Sequence, residues 1–222
     1  ITQGCNQAFC TVMATLAGPG DEVILPTPWY FNHKMWLDMS SVKTVALDTG
    51  STLIPSADAA AALVTDRTRA IVLVSPNNPG GVEYPADTLA AFRDLCRSKG
   101  IALIVDETYR DFDSRTGAPH DLFQDPDWAD TLIQLYSFSK AYRLTGHRVG
   151  AVVAGRCEGG VGSKGSAGAR TQCAARGALF CRGDLPLNRH AELVSASILE
   201  ATRTSQKWIL KQVQDDRIKQ AF

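Results

Sequence analysis

The chain has 222 residues, 45% hydrophobic and 21% charged, with 23 basic and 23 acidic side chains; this is the composition of a globular domain with one sizeable core. No run approaches the roughly 18 to 20 apolar residues that span a bilayer, and no basic flank leads into an apolar stretch at the start, which speaks against membrane and secretory readings and for a cytoplasmic protein. The six Cys form no CxxC pair and the four His no HExxH, so reduced thiols and no metal site are expected.

The balanced charge hides an asymmetry. Residues 1–155 carry 12 Lys and Arg against 17 Asp and Glu, whereas residues 156–222 carry 11 against 6. Such a split suits a basic tail or two segments of different origin. The first residue is Ile, and the sequence reads as a piece of something longer.

In chain order, a helical segment over 6–17 ends at Gly18-Pro19-Gly20, a helix-stop signal. A short apolar run at 22–26 reads as a strand, 30–39 as a helix, 44–47 as a strand and 56–64 as a helix. The run at 70–75 is a third strand, followed by a helix over 85–98 in which Leu89, Phe92 and Leu95–Cys96 share one face and Gly100 is the stop. Pro85 suits its first turn. Further strands are expected at 101–106, 131–137 and 149–154. These runs are rich in Val, Ile and Leu and bounded by turn residues, as strands buried on both faces are. Strand alternating with helix gives an α/β fold, a mostly parallel sheet with helices on both faces.

After residue 155 this pattern stops. Residues 157–190 hold seven of the 18 Gly and three of the six Cys, and residues 191–216 regain only a mixed-charge helical character. The organisation expected is therefore a partial domain over 1–155 and an atypical tail over 156–222, either flexible or an out-of-frame translation. Gly160, Gly162 and Gly165 fit the GxGxxG dinucleotide pattern, but no strand leads directly into them, and that reading is set aside. The tail's scattered charges also argue against nucleic-acid binding.

Ligands of an open parallel sheet collect beyond the carboxyl ends of its strands. There the sequence puts Asn78 after one strand, Asp106 at the end of the next with Tyr109 three residues on, and Lys140 after a third. A Gly4-Cys5-Asn6 turn opens the first helix, where free N–H groups and the helix dipole favour a phosphate.

These residues lie in five motifs: Gly4-Cys5-Asn6-Gln7-Ala8, Ser75-Pro76-Asn77-Asn78-Pro79-Gly80-Gly81, Asp106-Glu107-Thr108-Tyr109, Ser137-Phe138-Ser139-Lys140 and Gly146-His147-Arg148-Val149-Gly150. In this order and spacing they resemble the class I/II aminotransferases, fold-type-I enzymes that use pyridoxal 5′-phosphate (PLP). The resemblance covers residues 1 to about 155, most of the large cofactor-binding domain. It implies a Schiff base on Lys140, which then moves a proton at the substrate α-carbon; Asp106 against the pyridine nitrogen; Tyr109 and Asn78 on the phenolic oxygen; and Tyr30 over the ring face, with Trp29 as its rival. The phosphate falls to the Gly4-Cys5-Asn6 turn, Ser137, Ser139 and Arg148. Implied partners are an amino acid and a 2-oxo acid, and a second copy of the chain in a homodimer, against which the shortness of the chain weighs. A β-lyase or another fold-type-I enzyme, and a truncated, impaired fragment, stay open as alternatives. The N-terminal arm and the small domain, with its carboxylate-gripping arginine, find no match. Cys5 is expected to act through its backbone, and His33, His120 and His147 to be structural or exposed.

Overall fold

The computed structural model describes residues 1–155. The tail, its GxGxxG segment and the question of its origin lie outside the described residues. Six strands form one sheet: β1 (Glu22–Thr27), β2 (Lys43–Asp48), β3 (Thr68–Val74), β4 (Ala102–Asp106), β5 (Leu132–Ser137) and β6 (Gly150–Ala154), in the spatial order β2-β1-β3-β4-β5-β6. Every neighbouring pair is parallel except β5 and β6.

Alternation along the central strands builds a core on each face. Val23 and Leu25, Ala70 and Val72, Ala102 and Ile104 point to one side, where α1 (Gly4–Leu16) adds Ala8, Phe9, Val12 and Met13 and α2 (Phe31–Met39) adds Leu37. Ile71 and Leu73, Leu103 and Val105 point to the other, against Ala60 of α3 (Ala57–Ala61) and Leu89, Phe92 and Cys96 of α4 (Ala86–Lys99). Such two-sided cover is why these strands read as continuous apolar runs. α4 ends at Gly100 in the left-handed conformation with φ +64°, the expected stop.

Three local expectations are corrected. The run at 44–47 is not buried on both faces: β2 is an edge strand in which only Leu47 is buried. β6 is the opposite edge and is largely half-exposed. The helix expected over 56–64 is a single short turn, capped by Ser56 accepting from the Ala59 N–H at 3.3 Å. The β-branched pair Val64-Thr65 follows, and Thr65 puts its hydroxyl on buried Glu22 at 2.6 Å, a tertiary bond that a continued helix would forgo.

The antiparallel return of β6 positions the site. Ser137 at the end of β5 pairs with Gly150 at the start of β6, so the residues just beyond them, Ser139 and Arg148, meet across the gap. Gly150 in turn bridges to Thr2, which brings the N-terminus of α1 to the carboxyl edge of the sheet. A Cβ on Gly150 would lie 2.6 Å from the Gly4 carbonyl carbon, so only glycine lets the strand approach the helix this closely.

Candidate active site

The carboxyl edge opens into a cavity of about 360 Å³. Ten of the eleven residues singled out above line it: Cys5, Asn6, Tyr30, Asn78, Asp106, Tyr109, Ser137, Ser139, Lys140 and Arg148. The eleventh, Gly4, lies directly behind the rim. It has φ +78°, and a Cβ there would meet the Arg148 guanidinium at 2.2 Å. The missing side chain is therefore what seats Arg148 against the start of α1.

At this end of α1 the N-cap Gln3 makes no side-chain cap bond, the Gly4 N–H is held by the Thr2 carbonyl at 3.0 Å, and Cys5 and Asn6 of the first turn line the cavity. Arg148 donates from Nη1 to Thr145 O at 3.0 Å and to Ser139 Oγ at 3.5 Å. Ser137 Oγ accepts from the Ser139 N–H at 3.2 Å. Guanidinium, hydroxyls and helix N-terminus together make a cradle for a multivalent oxyanion.

Across the cavity Asp106 is buried. Its Oδ1 accepts from the Thr108 N–H at 3.0 Å and the Thr108 hydroxyl at 2.7 Å. Its Oδ2 faces His33 Nε2 at 3.2 Å and Cys5 Sγ at 3.6 Å. Burial pushes the Asp106 carboxyl up, but the His33 hydrogen bond and charge, followed by the Thr108 bonds, outweigh it and hold the group below the usual carboxylate range. The result is an ionised carboxylate at the foot of the cavity.

His33 is one of two residues on Asp106 that sequence reasoning missed. It is buried, stacked on Phe9 at 4.0 Å between ring centroids, and its Nε2 must carry the proton because an ionised carboxylate only accepts. The available signal was its place three residues after Tyr30, one helical turn into α2, facing inward. Its partner lies far along the chain and becomes visible only when β1 and β4 are brought together. Thr108, another missed residue, follows Asp106 by two positions, as a side chain closing a local turn does. His120 is also buried and structural, on Glu107 at 3.1 Å, while His147 is exposed.

Tyr30 lines the cavity, half-buried, and its hydroxyl accepts from Asn32 Nδ2 at 2.8 Å. Trp29 packs on the core beside α1 and α2 instead, so of the two rings Tyr30 is the one facing the cavity. Asn78 faces it too, whereas Asn77 turns inward to the Tyr84 hydroxyl and the Gly80 N–H. Burial, and then the Asp106 charge, push the Cys5 thiol well up, so it is no reactive thiolate. Lys140 also lines the cavity. Its side chain is exposed at the open side of the cavity, with Nζ 5.4 Å from the Tyr109 ring centroid.

A carboxylate, a phenol, an amide, an amine and an anion cradle thus share one small space. The family description "aminotransferase class I and II" matches residues 1–217. The chain belongs to this family. The family match runs further along the chain than the motifs do. An arginine–pyruvate transaminase of Pseudomonas aeruginosa is 36% identical over 157 residues, covering 69% of this chain and 39% of that protein. An aromatic aminotransferase of Arabidopsis thaliana is 33% identical over 155 residues, covering 68% and 38%. Among solved structures, the methionine aminotransferase YbdL of Escherichia coli superposes with a TM-score of 0.64 at 26% identity, covering 69% of this chain and 41% of that one. An aromatic aminotransferase of Pyrococcus horikoshii does so with 0.64 at 28%, again covering 69% and 41%. The chain therefore spans about two fifths of the length of these relatives. Among the described residues, no helix is long and apolar enough to cross a membrane.

Proposed function

We propose that this chain forms the cofactor-holding part of a PLP-dependent aminotransferase, which moves an amino group between an amino acid and a 2-oxo acid. The observation that carries the reading is that Asp106 and Lys140 face one cavity of about 360 Å³ whose rim is an oxyanion cradle. The donor set fits PLP: a cradle that a Cβ at Gly4 would fill, a buried carboxylate, and an amine at the opening. Bound PLP supplies an electron sink for negative charge developing at the substrate α-carbon.

The chain's own residues do the rest. The N–H groups of Cys5 and Asn6, the hydroxyls of Ser137 and Ser139 and the Arg148 guanidinium hold the phosphate. Asp106, kept ionised by His33 and Thr108, holds a proton on the ring nitrogen. Tyr109 and Asn78 would donate to the phenolic oxygen, and Tyr30 would pack on the ring. Lys140 would be the residue that holds the cofactor covalently, and its free amine would be the base that takes a proton from the α-carbon. Its exposure leaves it within reach of an incoming amine.

The test is incubation of the 222-residue chain with PLP and a panel of amino acids, following loss of the visible band as an amino group is taken up. Uptake from at least one amino acid, with release of its 2-oxo acid, is expected. PLP binding without amino transfer to any member overturns the transferase reading and leaves a PLP-binding fragment.

A further inference from the structure

An ionised carboxylate offers about four lone-pair sites to donors, and in this structure all four of those on Asp106 are engaged. Thr108 takes both on Oδ1 through its N–H and hydroxyl. On Oδ2, His33 Nε2 approaches from the core, where its ring is buried against Phe9, and Cys5 Sγ approaches at 3.6 Å from the wall of the cavity itself. A ring nitrogen entering from the cavity therefore meets a carboxylate with no open site.

One donor must yield, and the four are not equal. The Thr108 bonds are short and closed within one turn, so that losing them would break the loop that carries Tyr109. His33 is fixed by stacking and burial, and its loss would leave a buried ring N–H unpaired. Thr108 and Cys5 both line the cavity, and of the two the Cys5 thiol is the weaker donor, at the longest distance of the four and with no second bond to Asp106. Cys5 sits in the first turn of α1, packed against the core on one side and lining the cavity on the other. A serine in its place would bind Asp106 more strongly, and an alanine not at all.

Resting on the reading given above, we infer that the Cys5 thiol is a placeholder for the cofactor's ring nitrogen: its S–H holds the cavity-facing acceptor site of Asp106 until a protonated nitrogen heterocycle takes that site. Cys5 is thus a positioning residue that acts through Asp106. The thiol shields a buried carboxylate in the empty protein and sets how much of the nitrogen–carboxylate bond appears as affinity. The exchange replaces one hydrogen bond by another and moves no electrons.

The experiment has two readouts on the full chain. PLP affinity, titrated by absorbance, is expected to rise about threefold in Cys5→Ala and to fall about threefold in Cys5→Ser relative to the wild type, the low end of a hydrogen bond's net worth. The Raman S–H stretching band assigned to Cys5, by its loss in Cys5→Ala, is expected at low frequency in the PLP-free protein and to move up when PLP is added. Cys5→Ser assigns the band equally well if Cys5→Ala fails to fold, and with either assignment the wild-type shift on PLP addition decides. An S–H band that stays put, or Cys5→Ser binding PLP as tightly as Cys5→Ala, overturns the placeholder while leaving the cofactor reading intact. A wild-type protein that gives no PLP absorbance change at all removes both.

Discussion

His33 carries the account at the scale of single residues. Its Nε2 holds Asp106 at 3.2 Å inside the core, and removing one partner of a buried pair leaves the other uncompensated. His33→Ala should therefore lower stability by about 3 kcal/mol in urea unfolding and weaken PLP binding as well. A variant as stable as the wild type would show that the pair carries no weight. Acid sharpens the same point. Asp106 and Glu107 are both held below the usual range: burial opposes this in each case, and His33 with Thr108, and His120 with Arg110, overcome it. Carboxyls lowered on folding stabilise fully above their unfolded values, near about 4, and that contribution is lost as pH falls through the lower folded values. The urea midpoint should decline in this acid window, and the decline should be shallower in Asp106→Asn with Glu107→Gln. An equally steep decline in the double variant would contradict the assignment. Asp106, Tyr109, Lys140 and Arg148 were legible as motif members because their neighbours in the chain mark them. His33 was not, because a histidine's role depends on what it faces, and Asp106 faces it only after folding.

Two glycines join elements that no helix or strand propensity would bring together. Gly150 lets the start of β6 touch the first turn of α1, and Gly4 leaves room for the Arg148 guanidinium. The two substitutions should differ in kind. Gly150→Ala presses a Cβ onto backbone and should cost about 2 kcal/mol or more of stability, read from thermal or urea unfolding. Gly4→Ala displaces a flexible side chain as well as straining φ, and it should weaken PLP binding about tenfold through loss of a charge-assisted contact; an unchanged PLP affinity would contradict the cradle. The elements themselves were largely legible. The central runs at 22–26, 70–75 and 101–106 announced buried strands, and Leu89, Phe92 and Cys96 announced the inner face of α4. Exposure at the sheet edges was not legible, since Thr44 and Val45 have strand-forming chemistry whether or not anything covers them. The close approach of Gly150 to Gly4 was also invisible, because the pattern marks a glycine without saying which backbone comes near it.

For the molecule as a whole, strands alternating with helices were enough to foretell a mostly parallel sheet covered on both faces, and the carboxyl edge of that sheet is where the cavity lies. Spatial order was a different matter: that β5 runs beside β6 in antiparallel fashion, and thereby sets Arg148 opposite Ser139, follows from pairing that local sequence does not encode. The exposure of Lys140 was likewise not legible, since its motif marks the residue without saying what covers it. The central claim is that Lys140 and Asp106 hold opposite ends of one small heterocycle, and covalent trapping tests it most directly. PLP is added to the 222-residue chain, the visible spectrum is recorded, borohydride is added and the modified residue is found by peptide mass. The account predicts a visible band, a borohydride-stable adduct on Lys140, no such adduct in Lys140→Ala, and an affinity at least tenfold weaker in Asp106→Asn. An adduct spread over surface lysines, or one on Lys140 that forms equally well without the Asp106 carboxylate, would contradict it.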